Sequence, residues 1–211
     1  MAAKRAAKKK TARPAPAPRD RAIDAAMTVA SQIGWREATL SDIAEQAGLS
    51  LAELYAVFPS KAHILGGFTR RVDQAVLAGD PGDLEGESPR DRLFDVLMRR
   101  LDVLEPYKPA LANIVRDGAG DPVAALRAGC RVAGSMAWML EAAGISSAGL
   151  KGRLRVKGLI AIWALTVRAW LADDSSDKAH AMAVLDRNLS RADSLIARCQ
   201  GRGSRPEPAA A

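Results

Sequence analysis

The sequence predicts an all-α protein. Its ordered stretches carry apolar residues three and four positions apart, which is the spacing of one face of a helix. Ser, Thr, Asp, Gly and Pro separate those stretches in the combinations that begin and end helices. With 211 residues, the chain is long enough to bury a core in one or two small domains. We therefore expect an N-terminal three-helix domain followed by a larger helical domain.

The N-terminal arm accounts for the net charge of the chain. The formal net charge is +7, and residues 1–19 contain seven Lys and Arg residues and no acid. Ala, Lys and Pro dominate this stretch and cannot bury a core, so residues 1–18 are expected to be disordered. Lys8, Lys9 and Lys10 are candidate contacts to DNA phosphates, because a flexible basic arm binds a charged backbone. The alternative is a solubilising tail, or one attracted to anionic lipid.

Two capping boxes define the helices that follow a first helix at about residues 19–33. Thr39 and Asp42 stand three positions apart, as do Ser50 and Glu53. In each pair the hydroxyl accepts from a backbone N–H, and the carboxylate accepts from the capping residue in return. Gly48 lies between the boxes, where a helix stops and the chain turns sharply. Helix, glycine turn and helix at this scale form the helix-turn-helix pattern.

A third boundary follows at Pro59, which ends the second of these helices. Ser60 is the expected N-cap of a longer helix from Lys61 to about Leu77. A polar break at residues 79–89 then separates the two parts of the chain.

Residues 21 to 66 resemble the DNA-binding domain of the tetracycline-repressor (TetR) family. The matching positions are Ile23, Ala26, Gly34, Trp35, Thr39, Ile43, Ala44, Ala47, Gly48, Leu49, Ser50, Leu54, Tyr55, Phe58 and Lys61. The resemblance implies a helix-turn-helix domain at residues 19–66, with a recognition helix at about residues 51–57. It also implies that Tyr55, Lys61 and the Thr39 end of the preceding helix hold DNA phosphates.

The side chains expected to face base edges are unusual for a DNA-reading helix. These positions are Leu51, Ala52, Glu53, Ala56 and Val57, and Ser50 is a further candidate DNA contact. None of them is Arg, Lys, Asn or Gln, the residues that make bidentate contacts with bases. Apolar groups can touch a thymine methyl, and a carboxylate can accept from a cytosine amine. Reading by DNA shape or through water is the alternative to direct base contact.

The rest of the chain, residues 67–199, is predicted to form a helical ligand-binding and dimerisation domain, and residues 200–211 a disordered tail. Ser88, Pro89 and Asp91 form a strong helix start. Further helices are expected at about residues 109–117, 122–143, 159–171 and 177–199. The helix at 159–171 is apolar nearly all round, so it is expected to be central.

Two functional features are expected in this second domain. The TetR resemblance implies a homodimer through the last two helices; the alternative is that their apolar stripes close only the core of one monomer, which is the commoner role of such stripes. An apolar pocket for a small ligand or lipid is the second expectation. Its candidate lining residues are Trp138, Met139, Trp163 and Trp170.

A second resemblance competes with the first. Residues 90–111 and 159–193 are similar to the ubiquinone-biosynthesis accessory proteins, which have a TetR-like fold and bind lipid. The chain has neither the spacing of a catalytic or metal site nor a long uncharged apolar run. We therefore expect a cytoplasmic DNA-binding regulator that is not an enzyme, has no cofactor and does not insert into membranes. A lipid-binding accessory protein and a nonspecific DNA binder are the alternatives.

Overall fold

The structure is a computed structural model that describes residues 16–79, 86–118, 122–173, 175 and 177–203. The predicted all-α fold is confirmed, because these residues contain helices and no strand. In chain order the elements are α1 (Pro18–Ile33), α2 (Leu40–Ala47), α3 (Leu51–Val57), α4 (Lys61–Leu77), α5 (Pro89–Leu104), a 3₁₀ turn (Glu105–Tyr107), α6 (Lys108–Gly118), α7 (Pro122–Ala142), α8 (Gly149–Leu171) and α9 (Ala179–Gly203).

Helices α2, α3 and α4 pack around α1. Its buried side chains lie on one face, as the spacing predicts, and include Ala22, Ile23, Ala26, Met27 and Ala30. This face contacts α2, α3 and α4, while α6 packs against α1 from the other part of the chain. The loop after α1 is tied to α6, because the Asp117 carboxylate accepts from the backbone N–H of Arg36 at 3.0 Å. The N-terminal unit therefore rests directly on the second part.

Helix α4 belongs to both parts of the molecule. It runs without a break through residues 66 and 67, where the sequence predicts a domain boundary. Near its start, Gly67 lies so close to the Phe58 ring that a Cβ at this position would stand 2.7 Å from ring atoms. Further along, Arg71 pairs with Asp24 of α1 at 2.6 Å and lies over the Tyr107 ring. Any movement of α4 is therefore shared by both parts.

The second part has an apolar core that contains a buried arginine, Arg100. Helices α5, α7, α8 and α9 surround side chains such as Leu97, Leu101, Met136 and Leu185. Arg100 of α5 is only 5% exposed and forms an ion pair with Asp73 of α4. Asp73 also accepts a hydrogen bond from the buried hydroxyl of Ser135 in α7. We call Asp73, Arg100 and Ser135 the polar centre; it joins α4, α5 and α7.

Helix α8 differs from its prediction in length and in surroundings. It begins at Gly149, ten residues before the predicted start at residue 159. The added part is rich in Lys, Arg and Leu, which extend a helix readily. Helix α8 is also not fully central, because Ala161, Ala164 and Leu165 are exposed. Its mixture of small and apolar residues forms a surface face opposite the one that packs against α7 and α9.

Two smaller expectations also change. The Ser60 hydroxyl makes no capping bond to α4 and instead pairs with Nδ1 of His63 at 2.8 Å, so His63 takes up the hydroxyl that would cap the helix. Helix α9 starts at Ala179 and continues to Gly203, so residues 200–203 extend the helix predicted to end near 199. Residues 204–211 of the predicted tail and residues 1–15 of the predicted arm lie outside the described residues.

Candidate nucleic-acid interface

The turn between α2 and α3 is built by backbone hydrogen bonds around Gly48. Gly48 has φ 61° and ψ 39°, the left-handed conformation that glycine adopts most easily. Its N–H donates to Glu45 O at 3.0 Å, and the N–H of Leu49 donates to Ala44 O at 2.9 Å. This pair of bonds is a Schellman motif, and the buried Leu49 side chain anchors it. The turn therefore has a fixed geometry that sets α3 against α2.

Both predicted capping boxes are confirmed. Asp42 accepts from the Thr39 N–H at 2.8 Å, while the Thr39 hydroxyl accepts from the Asp42 N–H at 3.1 Å. Glu53 accepts from the Ser50 N–H at 2.8 Å, and the Ser50 hydroxyl accepts from the Glu53 N–H at 3.2 Å. These backbone bonds lower the pKa of both carboxyls below their ordinary values. Thr39, Ser50 and Glu53, predicted as DNA contacts, thus also hold the helix ends in place.

Helix α3 presents nearly all of its surface to solvent. Of its seven residues only Leu54 is buried, at 2% exposure. Tyr55 is 72% exposed and Leu51 is 54% exposed, and Ala52 and Ala56 are also exposed. A helix whose single buried residue is its anchor is shaped to enter a groove. Of the predicted base-facing residues, Leu51, Ala52, Glu53 and Ala56 are exposed, whereas Val57 is half-buried and packs against the core.

Lys61 has a structural role that the sequence does not predict. Its ammonium donates to the carbonyl oxygens of Trp35, at 2.6 Å, and Ala38, and it lies 4.7 Å from the centre of the Trp35 ring. Burial lowers the pKa of Lys61, although the carboxylates of Glu37, Asp117 and Asp42 oppose this. Two of its three N–H groups therefore hold the loop before α2, and one remains for a phosphate.

The arrangement provides two helix N-termini beside one exposed helix. The first backbone N–H groups of α2 and α3 have no partner within their helices, and each helix end carries a partial positive charge. Such ends bind phosphate oxygens, which fix the orientation of a protein on a duplex. Lys61 and the exposed Tyr55 hydroxyl lie in the same region of the chain. The predicted arm contacts Lys8, Lys9 and Lys10 lie outside the described residues.

The four candidate ligand-lining residues occupy different surroundings. Trp138 is 61% exposed and lines an open groove between α4 and α7. Met139 and Trp163 are buried beside Arg100, whose guanidinium lies 5.4 Å from the centre of the Trp163 ring. Trp170 is fully buried, and its Nε1–H donates to Glu105 at 2.8 Å. Of these four residues, Trp138 alone lines the groove.

Comparisons with known proteins agree with this geometry. Residues 22–66 match the model of the bacterial regulatory proteins of the tetR family. A TetR transcriptional regulator from Nitrosomonas europaea is 25% identical, with a TM-score of 0.69, and the match covers 84% of this chain and 99% of that one. A search of curated proteins found no match.

Two further solved structures share the fold. A TetR transcriptional regulator from a Rhodococcus species is 23% identical with a TM-score of 0.60, and the match covers 82% of this chain and 94% of that one. The repressor FadR from Thermus thermophilus, solved with lauroyl-CoA, is 20% identical with a TM-score of 0.52, and the match covers 92% of this chain and 99% of that one. Within the described residues, no helix is both long and apolar enough to cross a membrane. Residues 22–66 thus match the helix-turn-helix domain of the tetR family of bacterial regulatory proteins, and most of the chain shares the fold of TetR transcriptional regulators.

Proposed function

We propose that the protein is a repressor that binds double-stranded DNA as a homodimer and is released by a small molecule. The observation that carries this proposal is the outward face of α3, where a single buried anchor leaves Leu51, Ala52, Tyr55 and Ala56 exposed. Rigid caps at both boxes support it, because a reading helix needs a fixed orientation. The apolar face favours contact with thymine methyl groups, and the neighbouring helix ends favour contact with phosphates.

The homodimer is proposed to form through α8 and α9. Both helices carry exposed apolar side chains, which are Leu150, Leu154, Leu165, Met182 and Leu195. A second copy would cover this face and place two recognition helices about one DNA turn apart. Leu165→Glu is expected to shift the mass measured by sedimentation equilibrium toward the monomer. Val115→Glu on α6 is a matched control, because Val115 is 54% exposed and Leu165 is 50% exposed. Equal masses for both variants would contradict this interface.

The test of DNA binding uses the region upstream of the gene that encodes the protein. We expect a labelled upstream fragment to be retained against an excess of scrambled DNA at physiological salt. Tyr55→Ala should abolish this retention, because it removes a predicted phosphate contact. The variant should still fold, since Tyr55 is highly exposed. Val115→Ala, an exposed substitution on α6, should have no effect. Lys61→Ala is less informative, because Lys61 also holds the loop before α2.

Two outcomes would favour the alternatives. Loss of retention with scrambled competitor, together with steep salt dependence, would indicate a nonspecific DNA binder whose basic residues supply the affinity. Absence of DNA binding at low salt would favour a lipid-binding accessory protein, for which the apolar face of α3 is the specific observation. In that case, lipid extracted from the purified protein would replace DNA as the ligand to identify.

A further inference from the structure

A long open groove separates the N-terminal unit from α7. Its volume is about 1020 Å³, and its walls come from α1, the corner before α4, α4 itself and α7. The lining on α4 extends from Ser60 and Ala62 near its start to Leu77 at its end. At 1.5 Å per residue this stretch of helix is roughly 25 Å long. The groove therefore has room for an extended small molecule that touches both parts of the chain.

The two ends of the groove differ in chemistry. A Cβ on Gly66 of α4 would lie 3.8 Å from Cδ of Arg131 in α7, and Asp73 of α4 bonds Ser135 of α7. The numbering thus increases in the same direction along both helices, and Trp138, three residues beyond Ser135, lies toward Leu77. Leu77 is 40% exposed and Trp138 is 61% exposed, so this end offers uncovered apolar surface.

The other part of the groove is cationic. Its basic side chains are Arg19, His63, Arg70 and Arg131. Arg19 lies over the Phe58 ring at 4.5 Å, and Arg70 is exposed and makes no ion pair within the described part of the chain. Among the described residues of the wall the single acid is Asp73, which pairs with Arg100 and accepts a hydrogen bond from the Ser135 hydroxyl. The lining therefore favours a negatively charged group.

Glycines keep the middle of the groove open. A Cβ built on Gly134 of α7 would meet no atom within 4 Å, and one on Gly66 would make only an ordinary contact. Both glycines line the groove. A larger residue at Gly134 would therefore fill the groove without forcing the backbone to move. A bound ligand would occupy the space beside Gly66 and Gly134.

We infer that this groove binds a small organic anion with an apolar body, its carboxylate or sulfonate held by the cationic wall and its apolar part between Leu77 and Trp138. The sequence predicts an apolar ligand in a pocket lined by Trp and Met side chains. The exposed groove instead favours an amphipathic ligand, because its lining is both cationic and apolar. An occupant would bridge α1 and α7 and bias how the two parts sit relative to each other. An effect of the anion on DNA binding rests on the proposed function, whereas binding of the anion to the groove does not.

The probe is anilinonaphthalene sulfonate, an aromatic sulfonate that fluoresces when bound, compared with the uncharged phenylnaphthylamine. We expect the wild-type protein to bind the sulfonate more tightly than the uncharged analogue. Arg70→Gln should weaken sulfonate binding by about threefold to tenfold while leaving the analogue unchanged, because one charge-assisted contact is lost. Gly134→Leu should weaken binding of the sulfonate, because its side chain would occupy the middle of the groove.

Gly129→Leu is the matched control, because Gly129 is an exposed glycine of the same helix, has open space around it and does not line the groove. It should leave binding of the sulfonate unchanged. The inference is overturned if the sulfonate does not bind, if Gly134→Leu and Gly129→Leu have equal effects, or if Arg70→Gln has none. Adding the sulfonate to the DNA-retention assay tests regulation separately. Failure to retain DNA without it would contradict the proposed function and leave the anion site standing.

Discussion

The helix-turn-helix and the polar centre are held together in opposite ways. In the helix-turn-helix, the fixing contacts join neighbours along the chain, such as Thr39 with Asp42 and Ser50 with Glu53. In the polar centre, Asp73 bonds Arg100 27 residues away and Ser135 62 residues away. The DNA-facing surface is therefore specified locally, whereas the surface next to the groove depends on how three helices pack. Substitutions in the two regions should differ in size and in kind.

The largest effect is expected from breaking the polar centre. Arg100→Met would leave the Asp73 side chain, which is only 15% exposed, without its ion-pair partner and should lower the free energy of unfolding by about 3–5 kcal/mol. Urea denaturation followed by circular dichroism measures this. Arg90→Met is the control, because its pair with Asp186 is more exposed, with side chains 26% and 56% accessible, and should cost at most about 1 kcal/mol. Equal losses of unfolding free energy in the two variants would show that burial does not determine how much the Arg100–Asp73 pair stabilises the protein.

The next effect tests how closely α4 packs on the corner before it. Gly67→Ala would force a Cβ to within 2.7 Å of the Phe58 ring, so we expect a loss of about 1–3 kcal/mol in stability. Gly66→Ala, one position earlier, meets only an ordinary contact and should stabilise α4 by up to about 1 kcal/mol. Thermal unfolding of both variants is the measurement. A loss of similar size in both would mean that the Phe58 contact is not the cause.

A smaller effect is expected at the turn of the helix-turn-helix. Gly48→Ala should cost about 1–2 kcal/mol, because an alanine in the left-handed conformation is strained. No atom of the described residues lies within 4 Å of the added Cβ, so the expected loss comes from backbone strain. Gly48→Asn should cost less, since Asn tolerates this conformation better. Urea denaturation that gave the opposite order would argue against a left-handed turn.

The smallest effect is a pH-dependent one at the second capping box. The pKa of Glu53 is lowered by its bonds to Ser50, so the box contributes stability above the carboxyl's ordinary pKa of about 4.3 and loses it as pH falls. Glu53→Gln should therefore be less stable than the wild type at pH 6, and the difference should shrink at pH 3. Urea midpoints at the two pH values test this. A difference that persists unchanged at pH 3 would exclude the carboxylate as its source.

The contrast between the two regions also explains what the sequence could predict. Both capping boxes, the glycine turn and the start of α5 were predictable, because their signals lie within a few residues. The position of Lys61 against Trp35 and Ala38 was not, since it joins residues 26 and 23 apart. The sequence does contain a signal for Arg100. It stands four residues from Val96 and from Leu104, which places a charge on the buried face of α5. Its partner Asp73 depends on the packing of α4 and could not be read from that pattern.

The lining of the groove likewise could not be predicted from sequence patterns. The sequence marks Trp138, Met139, Trp163 and Trp170 as apolar and large, but not which of them turns outward. Met139 and Trp138 are adjacent, yet one is buried and the other exposed, because the rotation of α7 against α4 decides it. The cationic side chains of the groove come from α1, α4 and α7, and only the fold brings them together.

We propose that α3 reads DNA through apolar contacts while helix ends and Lys61 hold phosphates. The most direct test is to select a bound duplex from random DNA and replace each thymine in turn with deoxyuridine. We expect a loss of affinity of roughly fourfold at one or more positions, because burying a methyl contributes about 0.8 kcal/mol. Leu51→Ala should remove part of that loss. Unchanged affinity at every substituted thymine would contradict apolar reading by this helix.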